Sequence, residues 1–292
     1  MSDSPPRPHS GMPAKRDRSI GALLVDSRNI SPADAEAVVR YAKEEGLRFG
    51  AAAIKLGLVA RQDVERALAR QFDYPYLSPY DESLSRELIA AYAPFSPQVE
   101  AMRALRTQLM LRWFDSTPPR RLLAVVGASR GEGRSYLAAN LAVVFSQQGA
   151  RTLLVDADLR NPRQQELFKL SDRLGLSSLL ARRGDATAIH RIRGLPGLSV
   201  LPAGVVPPNP LELLTRPEFA GTLASLTNDY GVIIIDTPAA TLGADYQGIA
   251  AVAEGVLLVT HRNATRATDA RSVAESITAT ATTVAGVVLN EH

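Results

Sequence analysis

Cysteine is absent from the 292-residue chain, which excludes disulfides, thiolate metal sites and cysteine nucleophiles and is compatible with a reducing compartment. Also lacking is any apolar run near the roughly 18 to 20 residues that a spanning helix needs, so no membrane passage is expected. The first 18 residues, MSDSPPRPHSGMPAKRDR, carry basic side chains with no apolar stretch behind them, which argues against a secretory signal. Four prolines among polar residues make this stretch an expected disordered tail. Nor is there a strong charge of either sign: 33 Lys and Arg against 30 Asp and Glu leave +3, which gives no general case for nucleic acid. What remains is the composition of an ordinary globular protein, 46% hydrophobic and 22% charged, with length enough for a large and a small domain.

The front of the chain repeats itself. IGALLVDSRNISPADAEAVV (20–39) aligns with FGAAAIKLGLVARQDVERAL (49–68), matching Gly21 with Gly50, Ile30 with Val59, Asp34 with Asp63 and Glu36 with Glu65. Each copy reads as a short helix, a turn and a second helix begun by a polar residue, the pattern of a small helical docking module. DYPYLSPYD (73–81) then places Tyr74, Tyr76 and Tyr80 between prolines, an expected linker or packing strap.

From about residue 95 the rhythm changes to apolar runs alternating with helical segments: LLAVV (122–126), TLLVD (152–156), LSVL (198–201), VIIID (232–236), VLLVT (256–260) and VAGVVLN (284–290). Continuous apolar runs suit strands buried on both faces, and the intervening helices supply parallel crossovers. The expected fold is α/β, a doubly wound and mainly parallel sheet behind a small, mainly helical domain. In such folds ligands sit at the carboxyl ends of the strands, and three motifs collect there. The first, GASRGEGRSY (127–136), is a glycine-rich loop between strand and helix. Such a loop cradles phosphate with backbone N–H groups and the positive helix end. In the register G-x-x-x-x-G-K-[ST] it runs through Ala128, Ser129, Arg130, Gly131 and Glu132 to Gly133, Arg134 and Ser135. Tyr136 follows in the helix, and Ser135 stands where Mg²⁺ is ligated. The second motif, LLVDADLRNP (153–162), puts Asp156 and Asp158 at a strand end, and the third, VIIIDTP (232–238), ends on Asp236. Three such motifs after three separate strands point to a nucleotide with Mg²⁺.

Together GEGRS, LLVDADLRNP, LPAGVVPPNPLELL and VIIIDTP resemble the bacterial tyrosine kinases, P-loop proteins related to the partition ATPases, over residues 95–292. EAMRALR (100–106) is similar to that family's E-x-x-R-x-x-R helix, which implies a homo-oligomer paired through Glu100, Arg103 and Arg106. The second front repeat, residues 48–71, resembles half of the N-terminal domain of type II secretion and pilus ATPases, some of which bind cyclic di-GMP through paired copies. Here Arg48, Gly57 and Gln71 of the second copy face Ser19, Arg28 and Ala42 in the first, so half of such a site within 19–71 is altered. The combination is similar to the EpsG-type kinases of exopolysaccharide chain-length systems. That resemblance implies a cytoplasmic kinase, held peripherally at the inner membrane by a membrane-embedded co-polymerase, the chain-length determinant. It also implies ATP and Mg²⁺, with Ser135 and Asp236 around the metal and Asp158 assisting through water. Asp156 would be the base for the tyrosine proton, and Asn290 would contact adenine.

The expected division is a tail (1–18), a helical repeat domain (19–80), a linker (81–94) and a kinase-like domain (95–292). Two departures qualify the resemblance. Arg134 replaces the loop lysine, exchanging a compact point charge for a planar fork, which favours nucleotide binding over transfer. No tyrosine follows Tyr246, so an acceptor is expected on another protein or at an internal site such as 74–80. Two other readings stay open: an ATP-binding pseudokinase adaptor, and a partition-type ATPase. The latter would call for a lysine where this loop has Arg130.

Overall fold

The computed structural model describes residues 19–72, 74–171 and 173–291; the expected disordered tail lies outside them. The chain divides into two compact units, Met1–Tyr74 and Pro75–His292.

In the smaller unit each sequence repeat is a helix pair: α1 (Ile20–Asp26) with α2 (Pro32–Glu45), then α3 (Phe49–Lys55) with α4 (Arg61–Gln71). The repeated letters have physical jobs. Asp34 and Asp63 each fold back over the start of the second helix, accepting hydrogen bonds from the Ser31 N–H at 3.1 Å and the Ala60 N–H at 2.9 Å. Only the first copy completes the reciprocal cap, the Asp34 N–H donating to Ser31 Oγ at 3.1 Å. Gly50 marks a close helix crossing, since a Cβ there would lie 2.6 Å from a Val64 methyl. Leu24, Ile30, Val38, Ala52, Val59 and Val64 close a common core.

The larger unit is a seven-stranded sheet in the order β3-β4-β2-β5-β1-β6-β7. Its strands are β1 (Leu122–Gly127), β2 (Thr152–Asp156), β3 (His190–Arg191), β4 (Leu198–Leu201), β5 (Val232–Asp236), β6 (Gly255–His261) and β7 (Thr283–Asn290). All pairings are parallel except β3 with β4. Every residue of β1, β2 and β5 is buried, which is why their sequences read as unbroken apolar runs. The two-residue β3 has no such run and left no mark in the pattern. On one face lie α5 (Pro97–Leu109) and α6 (Arg134–Gln147); on the other lie α7 (Pro217–Leu226), α8 (Asp245–Val252) and α9 (Ala267–Ala279). Both sides of the sheet are therefore covered.

Helix α6 follows the glycine-rich loop and is buried on nearly every side, so its polar side chains need internal partners. They find them in residues 75–94. Asn140 Oδ1 accepts from the Ala90 N–H at 3.0 Å while its Nδ2 donates to Glu87 O at 3.0 Å. Gln147 Nε2 donates to Ala90 O at 2.8 Å and Pro75 O at 2.9 Å. Leu84, Leu88, Ala90 and Ala91 are buried in the same core. The stretch 81–94, expected as a linker, is instead a strap laid over α6, because α6 offers it both an apolar surface and amide partners.

One repeat mismatch has an energetic meaning. Gly57 sits in the left-handed region with φ +69°, and its counterpart Arg28 adopts φ +56°, a conformation that penalises a Cβ. Arg28→Gly is expected to stabilise the smaller unit by about 1 kcal/mol, seen as a raised urea midpoint in circular dichroism; an unchanged or lowered midpoint would show that the turn is not strained.

Candidate nucleotide site

The glycine-rich loop joins β1 to α6. Gly131 (φ +83°) and Gly133 (φ +86°) both take the left-handed conformation, which turns successive N–H groups toward one concavity. Space constrains the loop as well: a Cβ on Gly133 would strike Asn290 Nδ2, and one on Gly127 would strike the Glu132 carboxylate. A cavity of about 540 Å³ opens beside this loop, lined by residues 130–136 and by Glu87, Asp158, Asn161, Arg163, Leu242 and Asn290. That volume is ordinary for a small-molecule pocket.

Glu132 is buried, accepting from Thr265 Oγ1 at 2.7 Å, while the Asn290 amide donates to the Glu132 carbonyl at 3.1 Å. These two bonds tie the loop to the ends of β6 and β7. Asn290, expected at the adenine, thus lines the cavity while fastening the loop. Ser129 borders the loop without lining the cavity, Ala128 is buried beneath it, and Arg130 is exposed at its rim.

Arg134 is only 7% exposed. Its Nε donates to Thr237 O at 3.2 Å and its Nη1 to Ser129 O at 2.9 Å, so the guanidinium braces the loop against the end of β5. Nη2 takes part in neither bond. A lysine ammonium lacks the fixed fork that makes both bonds at once.

The carboxylates lie where the parallel register puts them. Asp156 and Asp236 are paired across β2 and β5, and both are fully buried. Asp156 spends its oxygens on backbone: Oδ1 accepts from the Asp158 N–H at 3.2 Å, and Oδ2 from the N–H groups of Arg163 and Gln164 at 3.1 and 2.9 Å. It does not line the cavity, so in this geometry the expected base organises a turn. Asp158 does line it, with Oδ1 accepting from the Arg160 and Asn161 N–H groups at 3.1 and 2.8 Å. Burial, then repulsion from Asp236, pushes the Asp156 carboxyl well above the usual range. Burial likewise raises Asp236 to about 6, despite the opposing pull of the Gln164 amide, the Ser135 hydroxyl and the Arg134 charge.

Gln164 is the residue that sequence reasoning missed. Fully buried, it donates from Nε2 to Asp236 Oδ2 at 2.7 Å and to Ser135 O at 3.1 Å, linking β5 to the start of α6, while its backbone N–H holds Asp156 at the end of β2. A lone Gln in NPRQQEL carries no pattern that could have marked it. Asp236 Oδ1 and Gln164 Oε1 are buried without a hydrogen-bond partner. Two orphaned acceptors beside Ser135 and Asp158 fit a divalent cation better than they fit a closed apolar interior. No group of three His, Cys, Asp or Glu side chains has metal-holding geometry among the described residues. Magnesium does not demand one, being held usually by one or two carboxylates and by phosphate oxygens.

The oligomer residues separate. Glu100 is exposed and pairs with Arg103 at 2.9 Å within α5, whereas Arg106 Nη1 donates to Val144 O at 2.8 Å and so fastens α5 to α6.

A mainly parallel sheet with a glycine-rich loop before the first crossover helix and acidic residues ending two neighbouring strands defines a P-loop NTPase fold. No protein-family model matches the chain. Individual relatives do. It is 33% identical over 207 residues to tyrosine-protein kinase YwqD of Bacillus subtilis, covering 71% of this chain and 86% of that one. To the putative tyrosine-protein kinase EpsB of Ralstonia solanacearum it is 34% identical over 204 residues, 70% of this chain but 27% of EpsB. Among solved structures, the kinase domain of Escherichia coli tyrosine kinase ETK superposes with a TM-score of 0.66 at 30% identity, over 70% of this chain and 79% of that one. The Pyrococcus furiosus cell division ATPase MinD superposes with a TM-score of 0.52 at 26% identity, over 59% and 72% of the two chains. The chain belongs to the bacterial tyrosine-protein kinases.

The buried carboxylates set a pH dependence. Because Asp236 rises from 3.8 to about 6 on folding, its contribution is lost as pH climbs through that window, and above it the metal-free fold carries the full penalty. Asp236→Asn keeps an acceptor for Gln164 and removes the charge. It is expected to raise the metal-free melting temperature at pH 7.5 by about 5 °C, with the gap narrowing toward pH 5; a variant no more stable than the parent at pH 7.5 would show that Asp236 is not charged against its surroundings.

Proposed function

We propose that the chain is an ATP-dependent protein tyrosine kinase, the cytoplasmic partner of a membrane-embedded chain-length determinant in exopolysaccharide or capsule assembly. The observation that carries this reading is the convergence of the glycine-rich loop, the start of α6 and Asp158, two residues beyond the end of β2, on one cavity, in a chain of this family. Backbone N–H groups of the loop and the α6 terminus would hold the phosphates, with Arg130 at the rim adding charge. Ser135 and Asp236 would hold Mg²⁺, with Asp158 assisting through water, and the ion would supply charge neutralisation on the phosphates. Asp158, which lies two residues beyond β2 and lines the cavity, would take the phenolic proton, with Asp156 fixing the turn that carries it.

Among the described residues no helix is long and apolar enough to cross a membrane, so attachment would run through the partner. The smaller unit is proposed as a docking module; a cyclic dinucleotide is a weaker proposal for it, with Arg28 and Ala42 standing where the second repeat has Gly57 and Gln71. Pairing of copies through Glu100 and Arg103 is part of the same proposal, Glu100 being exposed.

One observation favours a second reading. Two donors of Arg134 are bound to backbone carbonyls, which would leave binding intact while limiting transfer and make the protein an ATP-dependent adaptor. Incubation with radiolabelled ATP, Mg²⁺ and a Glu/Tyr copolymer separates the two. Label on tyrosine is expected, falling at least about 100-fold in Asp158→Asn with ATP binding retained, while Asp156→Asn lowers both labelling and melting temperature. Tight ATP binding with no label on any acceptor would establish the adaptor instead.

A further inference from the structure

All eight tyrosines of the chain lie among the described residues, so each hydroxyl can be asked whether it is presentable to a kinase. Tyr246 is buried, its Oη within 2.6 Å of Ser276 Oγ. Tyr92 is bound at both ends of its hydroxyl, donating to Leu84 O at 3.0 Å and accepting from the Leu84 N–H at 3.2 Å. Tyr41, Tyr74, Tyr76, Tyr136 and Tyr230 are half-buried. Tyr80 is 85% exposed and stands apart from all of them.

Its setting is fixed rather than loose. Tyr80 occupies a turn closed by the Asp81 N–H donating to Ser78 O at 2.9 Å. On one side Leu77 is buried, its N–H donating to Ala91 O at 2.7 Å; on the other, Arg86 Nη2 donates to Pro79 O at 2.6 Å while its guanidinium stacks on the Tyr92 ring, 4.3 Å away. The phenol therefore projects from an anchored turn. Asp81 and Glu82 follow it in sequence, and both Arg86 and Arg193 lie near enough to act electrostatically on Asp81. Two guanidinium groups beside the turn are the partners a phosphotyrosine dianion recruits.

We propose that Tyr80 is a phosphorylation site of this chain, an acceptor for its own kinase activity. The inference rests on the kinase reading above. In the transfer the γ-phosphorus loses its bond to the β–γ bridging oxygen and gains one to Tyr80 Oη. ADP departs with the electron pair, and the phenolic proton passes to Asp158. The product places negative charge beside Arg86 and Arg193, six residues into the larger unit.

The test uses the full chain with radiolabelled ATP and Mg²⁺, a Glu/Tyr copolymer as external acceptor, and phosphosite mapping by mass spectrometry. Tyr80 is expected to carry most of the self-label, Tyr80→Phe to lose it while still labelling the copolymer at the parent rate, and Tyr76→Phe to keep it. Self-label mapped elsewhere and undiminished in Tyr80→Phe, or copolymer label without self-label, would overturn the assignment and leave the kinase reading standing. Label on neither acceptor would overturn both. A mixture of Asp158→Asn and Tyr80→Phe chains adds a check: label appearing on Tyr80 of the Asp158→Asn chain supports transfer to this tyrosine from a second copy.

Discussion

The structure depends on a conflict of charge built into its sheet. Parallel pairing of β2 with β5 sets Asp156 directly beside Asp236, both without solvent, at the point where a glycine-rich loop gathers N–H groups. Desolvation raises both carboxyl groups, with repulsion from Asp236 adding to it at Asp156 and repulsion from Asp158 at Asp236, and nearby dipoles answer only part of the charge. Three backbone amides settle Asp156, while at Asp236 the Gln164 amide binds one oxygen and the Ser135 hydroxyl and the Arg134 charge offset part of the burial. The unanswered remainder, an orphaned acceptor on Asp236 beside Ser135, is what a divalent cation would satisfy. Burying the two carboxylates together costs stability, and in the proposed function a bound cation would offset that cost, an arrangement expected where function and fold compete.

Arg134 belongs to the same balance. A guanidinium makes two directed bonds, to Ser129 and Thr237, and thereby fixes the loop to the strand that bears Asp236. The positive charge stays close enough to the carboxylate cluster to offset part of the burial of Asp236. The loop is tied down again from the far side by Thr265 and Asn290 through Glu132. A phosphate cradle fastened at so many points gains rigidity, which favours preorganised binding, and gives up the freedom of a mobile ammonium to follow a moving phosphoryl group.

Much of this was legible in the sequence, for reasons that differ by element. The inner strands announced themselves because burial on both faces demands unbroken apolar runs, whereas the edge strand β7 carries such a run with none of its residues buried; the glycines of the loop were visible because left-handed backbone demands glycine. The acidic strand ends were visible as letters, but their division of labour was not: whether Asp156 or Asp158 lines the cavity depends on the turn 158–164, whose amides reach back seven and eight residues to Asp156. Gln164 and the strap at 81–94 were invisible for a related reason. Both are defined by what α6 and the loop require of them across 29 to 72 residues of chain, and such contacts leave no local periodicity. Arg106 carried a motif letter whose hydrogen bond to Val144 only the packing of α5 on α6 shows.

Relatives at 30 to 34% identity share the kinase fold and name, and the chain spans most of one and about a quarter of another, so the cavity itself must carry the claim about chemistry. The most direct measurement is calorimetric titration of the full-length protein with ATP, with and without Mg²⁺. The account requires saturable binding at one site per chain that tightens when Mg²⁺ is present, because the cation answers the carboxylates that burial has left exposed to one another. Absence of saturable heat under either condition, in protein shown to be folded, would contradict it.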